Sequence, residues 1–188
     1  LGPEELIRQL MAAVDEGRFE DAAALTDSTQ AALLTLIEGA DVSQVADVLA
    51  GDGREVSANF WSGFAQTLPA DFSSKDLQIS VGDTFEQEGV EFVRVTVEAP
   101  EGDPQVFVLH QDGRWQVDLM ATFASILAER MVAPVDNLLQ SANPDAGAVL
   151  EQLRATAPSL SVATQNPDLP AEVRQSLLAL IERVTRIG

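Results

Sequence analysis

One short run of residues constrains the fold of this chain more than any other. Residues 106–110 and 114–119 have the composition of two β-strands, and the pair Asp112-Gly113 lies between them. An Asp-Gly pair flanked by strand-forming residues is typical of a two-residue hairpin turn. Because side chains alternate between the two faces of a strand, such a turn decides which residues lie side by side. The hairpin therefore predicts both an antiparallel pair and its register.

That register separates the two polar residues that could form a catalytic pair. With a two-residue turn, His110 is expected opposite Trp115, and Asp118 is expected opposite Phe107. His110 and Asp118 then point to opposite faces of the sheet. One extra residue in the turn, as in a β-bulge, would reverse this result.

The rest of the chain has the pattern of an α+β protein. Apolar residues recur at helical spacing through residues 3–68, and they alternate at strand spacing at 77–81 and 92–99. Together with the hairpin this predicts about four antiparallel strands, joined by short connections as a meander. Helical spacing returns after Leu119, with a kink or break expected at Pro134 and a loop expected over 158–170.

We therefore predict N-terminal helices packed on a curved antiparallel sheet, followed by a C-terminal helical extension. The predicted domains are an α+β domain at residues 1–123 and the helical extension at residues 124–188. Asp41 is expected to cap one of the N-terminal helices, with Gln44 placed for a capping box.

Composition excludes several classes of protein. The net charge is −19, with 30 acidic residues against 11 basic ones, so nucleic-acid binding and adhesion to anionic membranes are not expected. No apolar run is long enough to span a membrane. The chain has no Cys, which removes disulfides, thiol chemistry and thiolate metal sites. Most of the negative charge lies before residue 120, since residues 120–188 hold seven acids and five arginines.

Three features together carry a family resemblance: helices broken at Gly17-Arg-Phe-Glu20, the antiparallel meander, and the segment Asp112-Gly-Arg-Trp-Gln-Val-Asp118. With them the chain resembles the nuclear transport factor two-like superfamily, which has a cystatin-like α+β fold. It looks closest to the bacterial branch of that superfamily, many members of which are secreted lipoproteins. The resemblance covers roughly residues 3–123.

The resemblance implies helices packed on a bent sheet around a pocket, which some members use for isomerase, dehydratase or cyclase chemistry. Other members bind small ligands or form interfaces, and the fold alone does not choose among these. It also implies a precursor with a lipid anchor, so a secreted or periplasmic location is slightly favoured over the cytoplasm. No signal peptide is visible in the printed sequence.

The residue types present argue against transferring the family's chemistry. A site of the ketosteroid isomerase type needs a Tyr, and this chain has none. A dehydratase-like site needs a His paired with a carboxylate, and the single histidine, His110, is predicted to point away from Asp118. With one His and no Cys, we expect no metal site, and we find no phosphate-binding, dinucleotide-binding or nucleophile motif that implies a cofactor.

We therefore expect no catalytic residues and favour a non-catalytic binding or interaction domain. The candidate ligand-binding residues are Trp61, Arg94, His110 and Asp118, although the aromatic cluster around Trp61 is more typical of a core. The expected partner is a small apolar ligand or a protein, including a second copy bound through the C-terminal helices. The alternative is a small isomerase or dehydratase with a pocket between sheet and helices.

Overall fold

The computed structural model describes residues 1–187 and confirms the α+β class. The described residues form ten α-helices and one antiparallel sheet of five strands, with helices at both ends of the chain. The N-terminal helices are α1 (Pro3–Asp15), α2 (Phe19–Ala24), α3 (Ser28–Leu34), α4 (Val42–Ala50) and α5 (Arg54–Gln66). The strands are β1 (Gln78–Val81), β2 (Phe85–Gln87), β3 (Val90–Glu98), β4 (Gln105–Gln111) and β5 (Trp115–Val117). The C-terminal helices are α6 (Leu119–Thr122), α7 (Ala124–Leu139), α8 (Ala146–Ala155), α9 (Ala157–Thr164) and α10 (Ala171–Thr185).

The sheet is an antiparallel meander with one interrupted edge. The strand order is β1-β3-β4-β5, and β2 also pairs with β3, beyond β1. Val81 lies opposite Val95 whereas Phe85 lies opposite Phe92, so three residues on the edge face two on β3. This is the geometry of a β-bulge, and it separates β1 from β2. β1 corresponds to the strand predicted at 77–81, whereas β2 was not predicted.

The two faces of β3 differ as the alternation predicted. Val93, Val95 and Val97 are buried on one face, and on that side of β4 the ring of Phe107 packs against Trp61 of α5, with ring centres 6.4 Å apart. Phe92 and Arg94 lie on the other face, together with His110 of β4. The side that packs against the helices is the main apolar core of this part of the chain, and the other side carries the polar residues discussed below.

The chain divides into two compact units, and each unit is made of two separate segments. Unit 1 contains residues 1–28 and 54–118, and unit 2 contains residues 29–53 and 119–188. This division differs from the predicted domains at 1–123 and 124–188, because residues 29–53 group with the C-terminal helices. The contribution of α3 and α4 to unit 2 has no counterpart in the sequence pattern, since it depends on long-range packing.

Local predictions had mixed outcomes. The capping box at Asp41 and Gln44 is confirmed, with the Gln44 amide donating to Asp41 at 2.9 Å. A kink or break was expected at Pro134, and α7 continues through that residue without a break. The loop expected over 158–170 is wrong in its first half, where α9 lies. Pro158 stands in the first turn of α9, the position in a helix where the missing amide hydrogen of proline costs least.

Candidate functional site

The centre of the candidate site is His110, which is buried between two carboxylates in unit 1. Its Nδ1 lies 2.8 Å from Oδ2 of Asp118, and its Nε2 lies 3.0 Å from Oδ2 of Asp27. The exposed fraction is 7% for His110 and 0% for Asp118, whereas the Asp27 side chain is 23% exposed. We call these three residues the triad.

The register of the hairpin between β4 and β5 makes the triad possible. This register differs by one residue from the predicted one, which is therefore wrong. Gln111 pairs with Trp115 and His110 pairs with Gln116, so the turn contains three residues rather than two. Gly113 adopts a positive φ of 73°, and the Asp112 amide donates to the carbonyl of Arg114. Three-residue loops are common in hairpins, and glycine adopts a positive φ without the steric cost that other residues have.

The extra residue reverses the side-chain parity of β5. The backbone amide of Asp118 donates to the carbonyl of Val108 at 2.8 Å, so Asp118 lies opposite Val108 rather than Phe107. His110 and Asp118 therefore share one face, where the sequence had predicted opposite faces. The predicted pairing of His110 with Trp115 is also wrong, and His110 instead meets the ring of Phe92 edge-on, with centres 6.2 Å apart.

Asp27 reaches the site through a short segment that follows α2. Thr26 forms a parallel bridge with Val117, the Val117 amide donates to the Leu25 carbonyl at 2.9 Å, and the Asp27 amide donates to the Val117 carbonyl at 3.1 Å. We call residues 25–27 the strap. The strap extends the sheet beyond β5, and its alternation directs Asp27 toward His110.

The side chain of Thr26 points to the opposite side of the strap from Asp27. Its Oγ1 accepts a hydrogen bond from Nε1 of Trp61 at 2.9 Å and donates to the carbonyl of Ala22 at 2.9 Å. Trp61 is fully buried, and its contacts with Phe60, Phe64 and Phe107 make it part of the core. The structure thus places this predicted ligand-binding residue behind the strap, away from the triad.

Two opposing effects set the charge state of His110. Burial by itself lowers the pKa of the imidazole, and the hydrogen bonds and charges of Asp118 and Asp27 raise it, so that the pKa rises from 6.5 to about 10. At neutral pH the ring is therefore an imidazolium that donates one hydrogen bond to each carboxylate.

Arg94, the fourth predicted site residue, lies on the same sheet face as His110 but outside the triad. Its guanidinium sits 4.5 Å from the ring centre of Phe85, in cation–π geometry. Phe85 stacks in turn on Phe92, which contacts His110. Partial burial lowers the pKa of Arg94. The structure therefore links Arg94 to the triad through two aromatic rings.

The triad is poorly suited to hold a metal ion. Its two carboxylates contact opposite ends of the imidazole ring, so they cannot converge on one ion while both bonds to His110 are present. Over residues 1–187 no group of three or more His, Asp or Glu side chains has a geometry that could hold a metal. Within the same range, no helix is both long enough and apolar enough to cross a membrane.

A cavity in unit 2 was not anticipated from the sequence. It is lined by apolar side chains of α6 to α10 and by Thr156. The space within which a water molecule could be centred is about 10 Å³. That volume is close to the minimum for a single water. The lining residues are Met120, Ala124, Leu127, Ala128, Met131, Val135, Leu153, Thr156, Leu160, Leu177, Leu180 and Val184.

Comparison with known proteins adds no identification. No protein-family description, no curated protein and no solved structure matches this chain.

Of the residues in the site, sequence reasoning missed Asp27 and Thr26. An Asp between two helices is an ordinary helix-capping residue, and its only local signal is the position before Ser28 at the start of α3. Chemically, the triad is a closed ion pair in which each ring nitrogen of His110 already has a carboxylate partner. Such an arrangement holds three segments of chain together rather than presenting a free base.

Proposed function

We propose that this protein is a non-catalytic binding or interaction protein. The observation that carries the proposal is the closure of the triad: both nitrogens of the single His are bonded to carboxylates, and the ring is almost completely buried. The residue best suited to acid–base chemistry is therefore occupied in holding the structure together.

The charge state of His110 supports the same proposal. A general base must have a free lone pair at the working pH, and its pKa is best matched to that pH. An imidazolium with a pKa raised to about 10 has no lone pair at neutral pH. It is also a poor general acid, because two carboxylates hold its protons.

The test uses the fact that His110 is the only histidine in the chain. We expect nitrogen NMR of ¹⁵N-labelled protein to show one imidazolium, with both nitrogens protonated, from pH 6 to above pH 8. The Asp27→Asn and Asp118→Asn variants should each titrate at a lower pH than the wild type. A wild-type His110 that becomes neutral near pH 6.5 would contradict the proposal.

The alternative is a small isomerase or dehydratase, and one observation favours it. The hydrogen bond between His110 and Asp118 is the His–carboxylate pair that such a site requires. In that case Asp27 would have to give way to a substrate. The same NMR titration separates the two functions, because an enzyme of this kind needs a neutral imidazole within its working pH range.

For the partner, we propose a protein, with a second copy of the chain as the first candidate. Three large apolar side chains of unit 2 are exposed, namely Ile126 and Leu139 on α7 and Leu178 on α10. The most exposed of the three is Ile126, at 61%. These are the C-terminal helices from which a dimer interface was predicted. The small apolar cavity of unit 2 supports a small-ligand partner less well, because it has room for about one water molecule.

Sedimentation of the intact chain tests the dimer. We expect a concentration-dependent dimer that Ile126→Glu and Leu178→Glu, made together, convert to a monomer. Val81→Glu with Val106→Glu is the matched control, since both residues are exposed apolar residues of unit 1. A wild-type monomer at all concentrations up to about 100 μM, a level at which even weak specific dimers are populated, would refute the dimer.

We also propose the superfamily resemblance, over roughly residues 3–123. It is supported by the order of helices followed by an antiparallel meander, with α5 packed on one face of the sheet. An experimental structure of a relative sharing this order would test it.

A further inference from the structure

The triad lies at the two places where the chain leaves unit 1. The chain passes from unit 1 to unit 2 after Ser28, and it does so again after Asp118. Asp27 is therefore one residue before the first exit, and Asp118 is the last residue before the second. His110, which belongs to neither exit, bonds to both carboxylates.

The two exits lie side by side. The strap at residues 25–27 pairs with Val117 through two backbone hydrogen bonds, those of the Val117 and Asp27 amides. Beyond the exits, and within unit 2, the same two segments are joined again. The Met120 amide donates to Oε1 of Gln30 at 3.1 Å, and Nε2 of Gln30 donates to Oγ of Ser159 at 3.2 Å.

The backbone pairing of the strap is too short to be secure by itself. It consists of one bridge with two hydrogen bonds, each with a net value of only about 1 kcal/mol, whereas β3 and β4 pair over seven residues. Side chains supply the rest: Thr26 is held by Trp61 on one side, and Asp27 is held by His110 on the other. Of these two anchors, only the contact of Asp27 with His110 is ionic.

We propose that the triad is a clasp that fastens the strap to β5 and thereby keeps the two exits of the chain together. Loss of the contact between Asp27 and His110 releases the strap as a local unit, while the pairing of β3 with β4 persists. The device is independent of the partner that the protein binds, and it is built entirely from residues of unit 1.

Amide hydrogen exchange on the full chain tests this clasp. In Asp27→Ala we expect the amides of position 27 and Val117 to exchange about 10- to 100-fold faster than in the wild type, the range expected for loss of one charged hydrogen bond. Amides between β3 and β4 should keep their wild-type rates. Asp112→Ala is the matched control, since it removes an exposed carboxylate from the same hairpin and should leave all these rates unchanged.

Two results would overturn the proposal. One is wild-type exchange at position 27 and Val117 in Asp27→Ala, and the other is equal acceleration throughout the sheet, which would indicate a global loss of stability. If Asp27→Ala does not fold, Asp27→Asn provides the test, because it keeps an acceptor oxygen and removes only the charge. It should produce a smaller acceleration at the same two amides, and no acceleration there would refute the clasp. These results are separable from the NMR test of function, because a released strap can accompany either charge state of His110.

Discussion

The buried imidazolium predicts that the stability of this protein decreases as the pH rises from neutral to alkaline. The pKa of His110 rises from its ordinary value of 6.5 to about 10 on folding, because Asp118 and Asp27 outweigh the effect of burial. A group whose pKa is raised in the folded state stabilises that state fully below its unfolded pKa, and this stabilisation is lost as the pH passes toward the folded pKa. The window is therefore about pH 6.5 to 10.

The magnitude follows from the size of the shift. Each pKa unit corresponds to 1.36 kcal/mol, so the full contribution of His110 is on the order of 5 kcal/mol, and the slope is about 1.4 kcal/mol per pH unit. Between pH 7 and pH 9 we expect the free energy of unfolding to fall by about 3 kcal/mol. Domains are typically stable by about 5–15 kcal/mol, so this loss is large enough to measure and leaves the protein folded in most cases.

Urea unfolding followed by tryptophan fluorescence measures this loss, since Trp61 is fully buried in the folded protein. The pH window is unusually free of other titrating side chains, because the chain has no Cys, no Tyr and no second His. The charged groups around the ring are Asp27, Asp118 and, across the two aromatic rings, the guanidinium of Arg94. Arginine keeps its charge throughout this range.

The variant His110→Gln is the internal reference. At pH 6.5 it should be less stable than the wild type by about 3–5 kcal/mol, because two carboxylates lose their common cation. Its stability should be almost independent of pH between 6.5 and 9.5, so the two curves converge. Parallel curves, or a wild type whose stability does not change over this range, would show that His110 is not held as an imidazolium. If His110→Gln is unfolded, Asp27→Asn provides the reference. Because it retains only Asp118 beside His110, the pH range over which its stability decreases should be narrower than in the wild type.

Three further substitutions test other parts of unit 1. Ser57 is fully buried, and its Oγ has no hydrogen-bond partner among the described residues. In urea unfolding, Ser57→Ala should therefore change the free energy of unfolding by between zero and an increase of about 1 kcal/mol, and a clear decrease would contradict this. Gly89 has a φ of +85° in the turn between β2 and β3, so Gly89→Ala should lower the melting temperature, at a cost of about 1–2 kcal/mol, and an unchanged value would refute the turn geometry. Trp61→Phe should cost about 2 kcal/mol through the lost bond to Thr26 and lost packing, and a cost below 0.5 kcal/mol would argue against that bond.

Periodicity in the sequence was sufficient for the general features of the fold. The alternation along residues 92–99 correctly assigned the valines of β3 to one face and Phe92 with Arg94 to the other. The capping box at Asp41 was predicted correctly because a cap depends on residues only three positions apart. Such features are local, so the energy that decides them is contained in a few neighbouring residues.

The candidate site could not be predicted in the same way, because it depended on one residue in a turn. Two-residue and three-residue loops are both common in hairpins, and the segment Asp112-Gly113-Arg114 is compatible with either. The choice between them was made by burial: the three-residue loop puts Val117 on the apolar face with Val93 and Leu109, and it turns Asp118 toward His110. Packing of the whole sheet therefore determined the parity.

By itself, the sequence determined the α+β class, the antiparallel meander and the presence of a single histidine between strand residues. Only the tertiary structure decided that this histidine is bonded to two carboxylates. Asp27 lies in the N-terminal part of the chain, far from His110 in the sequence. Its approach to His110 depends on the pairing of the strap with Val117. The division into two units, each of two segments, was likewise decided by long-range packing. The physical reason is common to both: contacts between distant segments are stabilised by burial and charge, which leave no periodic signal in the sequence.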